Sequence, residues 1–267
     1  MSELAPATLE GWYALHQMFS VDWTAVRALP AAVRQRLAAD LRARVAPPTP
    51  EQDGWSAAYQ LVGGGADWLF VHFRSSLDEL ARAGRAVRQS AAGELLDLTY
   101  DYLSITEAGL YHATAEAANE AKPDSPGYQA LLDEAAAAER SSPHMQLRLY
   151  PRVPEGMRYI SFYPMSKRRQ HPDNWYALPV AERNRLMREH GLTGRKYAGR
   201  IFQVITGSVG LDDWEWGVTL FAHDPLEFKR IVTEMRYDEA STKYGEFGEF
   251  FTGIRIESDA WDGLLVP

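Results

Sequence analysis

The residues best suited to chemistry lie on one short stretch, residues 157–167, which reads MRYISFYPMSK. Side chains two apart on a strand point to the same face and stand about 7 Å from one another. If this stretch is a strand, Tyr163, Met165 and Lys167 share a face that carries a phenol, a thioether and an ammonium. A face that packs in an ordinary core would be aliphatic. This one is therefore predicted to be the wall of a binding pocket.

A histidine is the second candidate. His190 closes an amphipathic segment in which Leu186 and Met187 precede it at spacings of four and three, so a helix would place its imidazole on their apolar stripe. Gly191 follows and is predicted to end the helix as its C-cap. An imidazole on an apolar face either binds a metal or a haem iron, or is a core histidine hydrogen-bonded to backbone. Zinc is less favoured, because the chain has no cysteine, no HExxH and no second histidine three or four residues beyond His190.

Three further polar features have two interpretations each. Gln203 lies between Ile201 and Ile205 on one face of a predicted strand, where its amide either donates a hydrogen bond above an iron site or is satisfied by backbone. The basic run at residues 167–169 either pairs with ligand carboxylates or is a solvated turn. Tyr163 is either a proton donor or redox-active phenol, or a buried tyrosine whose hydroxyl has a partner.

The composition sets outer bounds on function. The chain of 267 residues has no cysteine and a formal net charge of −8, which excludes disulfides and disfavours general nucleic-acid binding. No apolar run approaches the roughly 20 residues of a membrane span, and residues 1–12 lack the basic-then-apolar order of a signal peptide. We therefore expect a cytoplasmic protein with no membrane span and no nucleic-acid partner.

The hydrophobic pattern predicts two similar halves. Residues 11–105 read as β-α-β-α-β, and residues 106–143, rich in Ala and Glu, as helical pieces of a connector. The sequence ALP followed by AVRQRL at residue 28 recurs as ALP followed by AERNRL 149 residues later, and Trp68 matches Trp216 with an offset of 148. Pairing two such halves into a barrel with the helices outside would bury their open edges and apolar faces. We predict an α+β fold with an internal duplication and three parts, at residues 1–105, 106–143 and 144–267.

With these residues in view, the chain resembles the chlorite dismutase family, and within it the branch of coproheme decarboxylases, the hydrogen peroxide-dependent haem synthases. The resemblance covers nearly the whole chain, and the connector at residues 106–143 is the part that resembles the family least. It is carried by the following motifs: Tyr163-Pro164-Met165-Ser166-Lys167-Arg168, Asn174-Trp175-Tyr176, Glu189-His190-Gly191, GSVGLDDWEW at residues 207–216, Glu234-Met235-Arg236 with Asp238-Glu239 and Ser241, and Asp101-Tyr102-Leu103-Ser104.

The resemblance implies a fold and an activity. The fold would be two ferredoxin-like halves that form a dimeric α+β barrel, with the haem pocket in residues 144–267 and usually five identical subunits in a ring. The activity would be that of an oxidoreductase of haem biosynthesis. Its substrate and redox centre would be iron coproporphyrin III, and hydrogen peroxide would convert two propionates to vinyl groups to give haem b. A transient contact with coproporphyrin ferrochelatase is also implied.

The resemblance also assigns residues. His190 matches the proximal iron ligand, Tyr163 the tyrosine that acts in decarboxylation, and Lys167 the lysine beside a reacting propionate. Gln203 stands where chlorite-degrading members have an arginine over the iron, which favours the decarboxylase branch. The other positions assigned to tetrapyrrole binding are Pro164, Met165, Ser166, Ser241 and Arg148, and Arg148 matches only if one residue is inserted between it and Tyr163.

Two other functions stay open at this point. A chlorite-degrading or peroxidase-like haem enzyme of the same family would release oxygen from chlorite, and Gln203 argues against it. A haem-binding or sensor protein without turnover would hold haem tightly and leave it unchanged. A barrel that binds neither would give no Soret band with added porphyrin.

Overall fold

The computed structural model describes residues 5–45 and 53–265, and within these two ranges nine strands and nine helices form an α+β fold, which confirms the predicted class. The strands are β1 (Thr8–Val21), β2 (Gly54–Gly63), β3 (Trp68–Arg74), β4 (Leu96–Gly109), β5 (Tyr159–Lys167), β6 (Ile201–Gly207), β7 (Trp216–Ala222), β8 (Gly245–Phe247) and β9 (Phe251–Arg255). The helices are α1 (Trp23–Ala28), α2 (Ala31–Arg44), α3 (Leu77–Arg88), α4 (Tyr111–Glu120), α5 (Pro126–Arg140), α6 (Pro143–Leu149), α7 (Val180–Arg195), α8 (Leu226–Met235) and α9 (Glu239–Tyr244). A short 3-10 helix at Trp175–Ala177 matters for the site.

The strands form one antiparallel sheet in the order β7-β6-β4-β1-β3-β2-β9-β5-β8, and β5 also pairs with β7, so the order returns to the strand at which it began. In each half the first and third strands lie in the middle. The N-terminal half has the order β4-β1-β3-β2, and the C-terminal half has β6-β7-β5-β9. The predicted duplication requires this equivalence. The duplication and the two-half barrel stay predictions.

The N-terminal half differs in detail from its sequence pattern. The pattern predicts no strand at Gly54–Gly63, where GWSAAYQLVG mixes small and polar residues without clear alternation, yet β2 forms there because it pairs with β3 and β9. The helix predicted for residues 24–45 is divided into α1 and α2, since Leu29 is extended before Pro30. The proline-rich residues 47–50, predicted to end it, lie outside the described residues. Strand β4 runs on to Gly109, beyond its predicted end at Ile105.

Helix α7 is longer than its sequence predicts. It continues to Arg195, and Lys196 is its C-cap, so Gly191 lies inside the helix and the prediction that it caps the helix is wrong. A single glycine inside a helix costs only about 1 kcal/mol. The packing of Leu186 against Trp175 and Tyr244 contributes to offsetting that cost.

Replacing Gly191 by alanine is therefore expected to stabilise the ligand-free protein by about 0.5–1 kcal/mol, since alanine loses less conformational freedom in a helix interior. A Cβ atom added there would meet nothing within 4 Å. Thermal unfolding followed by circular dichroism should show a higher Tm. Gly199→Ala is the matched control, because Gly199 has a φ of +79° and alanine there should lower the Tm. A lower Tm for Gly191→Ala would mean that the glycine ends the helix after all.

The two faces of β5 pack against different partners. Ile160 and Phe162 lie in the large apolar cluster formed with β1, β3 and β7. Tyr163 and Met165 lie in a second cluster, which includes Phe228 and other residues of α8. This alternation confirms the predicted faces of the strand and places Tyr163 between the sheet and the helices of the C-terminal half. No helix in the described ranges is both long and apolar enough to cross a membrane.

Candidate functional site

Lys167, at the end of β5, is buried, with 7% of its surface exposed, so it does not belong to a solvated turn. Its Nζ donates to the carbonyl of Ala240 (3.1 Å) and lies 4.6 Å from the centre of the Trp175 ring. Burial lowers the pKa of Lys167 to about 8, although the carboxylates of Asp238 and Glu215 oppose that shift. An ammonium held in this way is charged at neutral pH and close to losing its proton at mildly alkaline pH.

The interpretation of the basic run as a solvated turn applies only to its arginines, and the pairing of Lys167 with a ligand carboxylate stays a prediction. Arg168 and Arg169 are more exposed than Lys167, and each has a carboxylate at 4.0 Å, Glu246 for the first and Glu215 for the second. The turn is therefore solvated at its arginines and buried at its lysine.

Tyr163 is buried between aromatic rings. Its ring stacks on Phe250 with centroids 4.4 Å apart and lies 6.1 Å from Phe247. Burial raises the pKa of Tyr163 well above its usual value, and the positive charge of Arg236 only partly opposes this. The phenol therefore keeps its proton throughout the physiological pH range.

His190 is oriented by a carboxylate that the sequence analysis did not assign to it. Its Nδ1–H donates to Oδ2 of Asp238 at 3.0 Å. Among the described residues no hydrogen bond reaches Nε2, and 28% of the side chain is exposed. Because a carboxylate only accepts, this contact fixes the proton on Nδ1 and leaves the Nε2 lone pair free to bind a metal.

Asp238 has several partners at once. Besides His190, it accepts the backbone N–H of Ser241 (3.0 Å) and the Ser241 hydroxyl (3.1 Å), so it is the N-cap of α9. Burial raises the pKa of Asp238, but the hydrogen bond and charge of His190 and the two bonds from Ser241 outweigh burial and hold that pKa below its usual range. Ser241, assigned by resemblance to a propionate, is engaged with Asp238 here.

Gln203 is exposed on a face that is otherwise apolar. It lies on β6 opposite Leu220 of β7, and Ile201 and Ile205 on either side of it belong to the cluster that contains Tyr163. Its amide is therefore not buried and satisfied by backbone, which was one of the two interpretations. Solvent reaches this face of the sheet at Gln203, where a ligand lying on the sheet would meet a neutral donor.

Arg148 approaches the same part of the sheet from α6. Its guanidinium interacts electrostatically with Glu107 of β4, and Glu107 accepts the indole N–H of Trp216 at 3.3 Å. Trp216 pairs with Met165 across β5 and β7. These contacts link Arg148 to the strand that carries Tyr163 and Lys167.

Pro164 and Ser166 alternate with Tyr163, Met165 and Lys167, so their side chains point to the opposite face of β5. The carbonyl of Pro164 accepts the N–H of Gly248 (2.9 Å), and the hydroxyl of Ser166 accepts the N–H of Glu215 (3.2 Å). In the structure both residues hold the strand in place. Their assigned contact with a tetrapyrrole stays a prediction.

One segment connects the candidate residues. The carbonyl of Ala240 accepts a hydrogen bond from Nζ of Lys167, and the carboxylate of Asp238 accepts one from Nδ1–H of His190. The charge of Arg236, in the same segment, opposes the rise in the pKa of Tyr163. In the sequence, residues 234–241 are recognisable only as part of a family motif. An Asp directly before a short helix is a capping signal that points to Asp238 as an acceptor. Its contact with His190 depends on the packing of α7 against α9.

The donor set fits a flat metal complex that needs one protein ligand. In the described ranges no group of three or more His, Asp or Glu side chains is placed to hold a metal ion, so a bare ion has no cage there. One imidazole with a free Nε2, an aromatic and apolar wall and a nearby ammonium are what an iron porphyrin with carboxylate side chains would require. The residues present therefore fit such a group.

The chain is similar to several known proteins. The family model for chlorite dismutase matches residues 34–256. The coproheme decarboxylase of Staphylococcus carnosus is 43% identical over 252 residues, which cover 93% of each chain. That of Staphylococcus saprophyticus is 41% identical over 264 residues, which cover 98% of each chain. A relative from Halobacterium salinarum is 44% identical over 94% of this chain, and the chain spans about half (49%) of that relative's length.

Solved structures show the same fold. A heme-binding protein from Thermus thermophilus superposes with a TM-score of 0.82 and 40% identity, covering 98% of this chain and 97% of the other. A mutant of the chlorite dismutase from Candidatus Nitrospira defluvii superposes with a TM-score of 0.69 and 18% identity, covering 96% of this chain and 94% of the other. At 18% identity, the similarity to the chlorite dismutase structure is evidence for the fold only.

Proposed function

The chain belongs to the chlorite dismutase family, and from that premise we propose that it acts as a coproheme decarboxylase. The substrate would be iron coproporphyrin III and the product haem b. In each of two rounds, one propionate would lose two electrons, one proton and carbon dioxide to become a vinyl group, while hydrogen peroxide is reduced to water. The identity to two proteins named coproheme decarboxylase, over nearly the whole of each chain, supports this proposal.

The environment of His190 is the single observation that carries the proposal. An imidazole whose Nδ1–H is committed to Asp238 presents Nε2 as a neutral ligand with a fixed orientation. His190 would hold the iron through that atom, and the bond to Asp238 would make it a stronger donor. Bound iron would supply the oxidising chemistry with peroxide.

The other residues would position and convert the propionates. Lys167 would pair with a carboxylate through its ammonium, a charge-assisted bond that contributes roughly 1.5–3 kcal/mol. Once Tyr163 is oxidised, its phenolic oxygen would take a hydrogen atom from the propionate next to it. Met165 would contact the ring, Arg148 and Ser241 would hold carboxylates, and Gln203 would stand over the iron as a neutral donor.

The neutral side chain at Gln203 favours decarboxylation over chlorite degradation. An arginine at that position would attract the chlorite anion, and an amide carries no charge to do so. Oxygen evolution from chlorite at a fast and sustained rate would support the alternative.

The experiment that tests the proposed function is direct. Purified protein is mixed with iron coproporphyrin III, hydrogen peroxide is added in portions, and the porphyrin mass is followed. We expect loss of the elements of formic acid twice, through a product with three propionates. A porphyrin mass that does not change, with the protein folded and the porphyrin bound, would overturn the function while leaving binding intact.

The pH dependence of binding follows from Lys167. In the ligand-free protein the pKa of Lys167 is about 8, and a bound carboxylate would raise it. The affinity for iron coproporphyrin III should therefore be constant below pH 8, where the lysine is already charged. Above pH 8 it should fall by up to about tenfold per pH unit. Absorbance titrations across this range measure the effect. Lys167→Gln should bind more weakly and lose this part of the pH dependence; an unchanged profile in the variant would assign the titration to another group.

Four further expectations remain proposals: the homopentamer, the cytoplasmic location, the transient contact with coproporphyrin ferrochelatase, and the division into residues 1–105, 106–143 and 144–267. Sedimentation of the purified protein would test the first of them.

A further inference from the structure

Glu215 is a buried carboxylate for which the proposed reaction gives no role. It directly precedes β7, and only 9% of its side chain is exposed. Its Oε2 accepts the backbone N–H of Lys167 (2.7 Å), and its own N–H donates to Ser166 Oγ (3.2 Å) and to the carbonyl of Met165 (3.1 Å). A carboxylate is costly to bury unless such bonds satisfy it. Glu215 thus fixes the last residues of β5, from which the Lys167 side chain projects.

The same carboxylate joins β5 to the turn that follows it. The side chain of Tyr176 interacts with Glu215, and burial together with this interaction raises the pKa of the Tyr176 phenol. Nε of Arg169 lies 4.0 Å from the Glu215 carboxylate. Tyr176 is the neighbour of Trp175 in the 3-10 helix, and the Trp175 ring is the one against which the Lys167 ammonium lies. Glu215 therefore holds the backbone of Lys167 and also faces the turn that carries the aromatic ring beside the ammonium.

Glu215 is also one of two carboxylates whose charge acts on Lys167, the other being Asp238 from the N-terminus of α9. Asp238 accepts bonds from His190 and Ser241, whereas Glu215 bonds to the main chain of Lys167 itself. The other titratable groups around the lysine are the arginines of its own turn and two tyrosines that contact Trp175: Arg168, Arg169, Tyr111 and Tyr244.

We propose that Glu215 is a positioning residue for Lys167: it fixes the backbone from which the ammonium projects and supplies a fixed negative charge that keeps the ammonium protonated. The consequence for a propionate rests on the proposed function. The contact between Glu215 and Lys167 does not, so it can be tested on the ligand-free protein.

The test is a pH titration of the lysine side chains by NMR, with lysine labelled at Cε and Nζ. The chain has few lysines to assign: Lys122, Lys167, Lys196, Lys229 and Lys243. In Glu215→Gln the pKa of Lys167 should fall by about one unit, because the amide keeps the shape but not the charge. Glu246→Gln is the matched control: it removes an exposed carboxylate 4.0 Å from Arg168 and should move the pKa of Lys167 by less than about 0.3 unit.

A second variant separates charge from anchoring. Glu215→Asp keeps the charge, but its shorter side chain no longer reaches the Lys167 N–H. We expect faster hydrogen exchange of the Lys167 amide, by at least about tenfold, with a smaller change in the pKa of the ammonium. This measurement does not depend on Glu215→Gln being folded.

The outcomes separate this proposal from the proposed function. Unchanged Lys167 pKa in Glu215→Gln together with unchanged amide exchange in Glu215→Asp would overturn the positioning role, whatever the protein does with iron coproporphyrin III. If both change as expected while the wild-type protein leaves the porphyrin mass unaltered, the positioning role stands and the decarboxylase function falls. If the function holds, Glu215→Gln should also shift the alkaline loss of porphyrin affinity to lower pH by the same amount as the lysine pKa.

Discussion

Replacing His190 by alanine is expected to weaken the binding of iron coproporphyrin III by at least about 100-fold, since loss of partners outside the ligand shell alone costs 10–100-fold at metal sites. The variant removes the residue whose orientation, fixed by Asp238, suits it to ligate an iron in this pocket. The apolar wall and Lys167 would remain and would hold the porphyrin weakly. Spectrophotometric titration should show the Soret band of the parent complex missing at concentrations that saturate the wild type.

The control for this variant is His112→Ala. His112 lies on α4, is largely exposed and pairs with Glu116 of its own helix at 3.2 Å, so its loss should leave porphyrin binding unchanged. Circular dichroism of His190→Ala without ligand should match the parent, because the side chain is partly exposed and its removal opens no large cavity. Uptake of the porphyrin by folded His190→Ala with an unchanged Soret band and affinity would refute the assignment of the iron ligand.

The face that Tyr163, Met165 and Lys167 share could be predicted from the sequence because it depends on local periodicity. Tyr163, Met165 and Lys167 occupy every second position of a strand, and His190 follows Leu186 at the spacing of one helical turn. Each of these patterns lies within a single element, so no knowledge of tertiary packing is needed to place the side chains on a face.

The partners of those residues could not be predicted in the same way. Glu215 lies 48 residues from Lys167, and Asp238 lies 48 residues from His190. Both contacts depend on how separate elements meet, the first on the pairing of β5 with β7 and the second on the packing of α7 against α9. Local pattern assigns a face, whereas the hydrogen-bond partner on that face is a property of the assembled fold.

The same distinction explains where the predicted secondary structure was wrong. Strand β2 has little strand-forming character of its own and is held by β3 and β9. Gly191 has the residue type and the position of a helix cap, but α7 continues for another turn. In both cases tertiary contacts outweigh a weak local preference.

Replacing Tyr163 by phenylalanine is expected to lower the rate of decarboxylation by at least about 100-fold while leaving the binding of iron coproporphyrin III unchanged. Phenylalanine keeps the ring that stacks on Phe250 and loses only the hydroxyl. Because the hydroxyl is proposed to take the hydrogen from the propionate, its loss removes a step of the reaction and none of the packing. Rapid-mixing measurements with peroxide, read by porphyrin mass, give the rate, and titration of the Soret band gives the affinity.

Tyr13→Phe is the matched control, because it removes a phenol from β1, in the N-terminal half. This variant should convert iron coproporphyrin III at the parental rate. If Tyr163→Phe lost binding and turnover together, the hydroxyl would be a group that holds the substrate, and the chemical role would have to pass to another residue. If it kept both, the phenol would be a buried tyrosine that packs and does no chemistry. Only loss of turnover with retained affinity places the hydrogen transfer on this side chain, because that combination shows an interaction made in the transition state and not in the ground state.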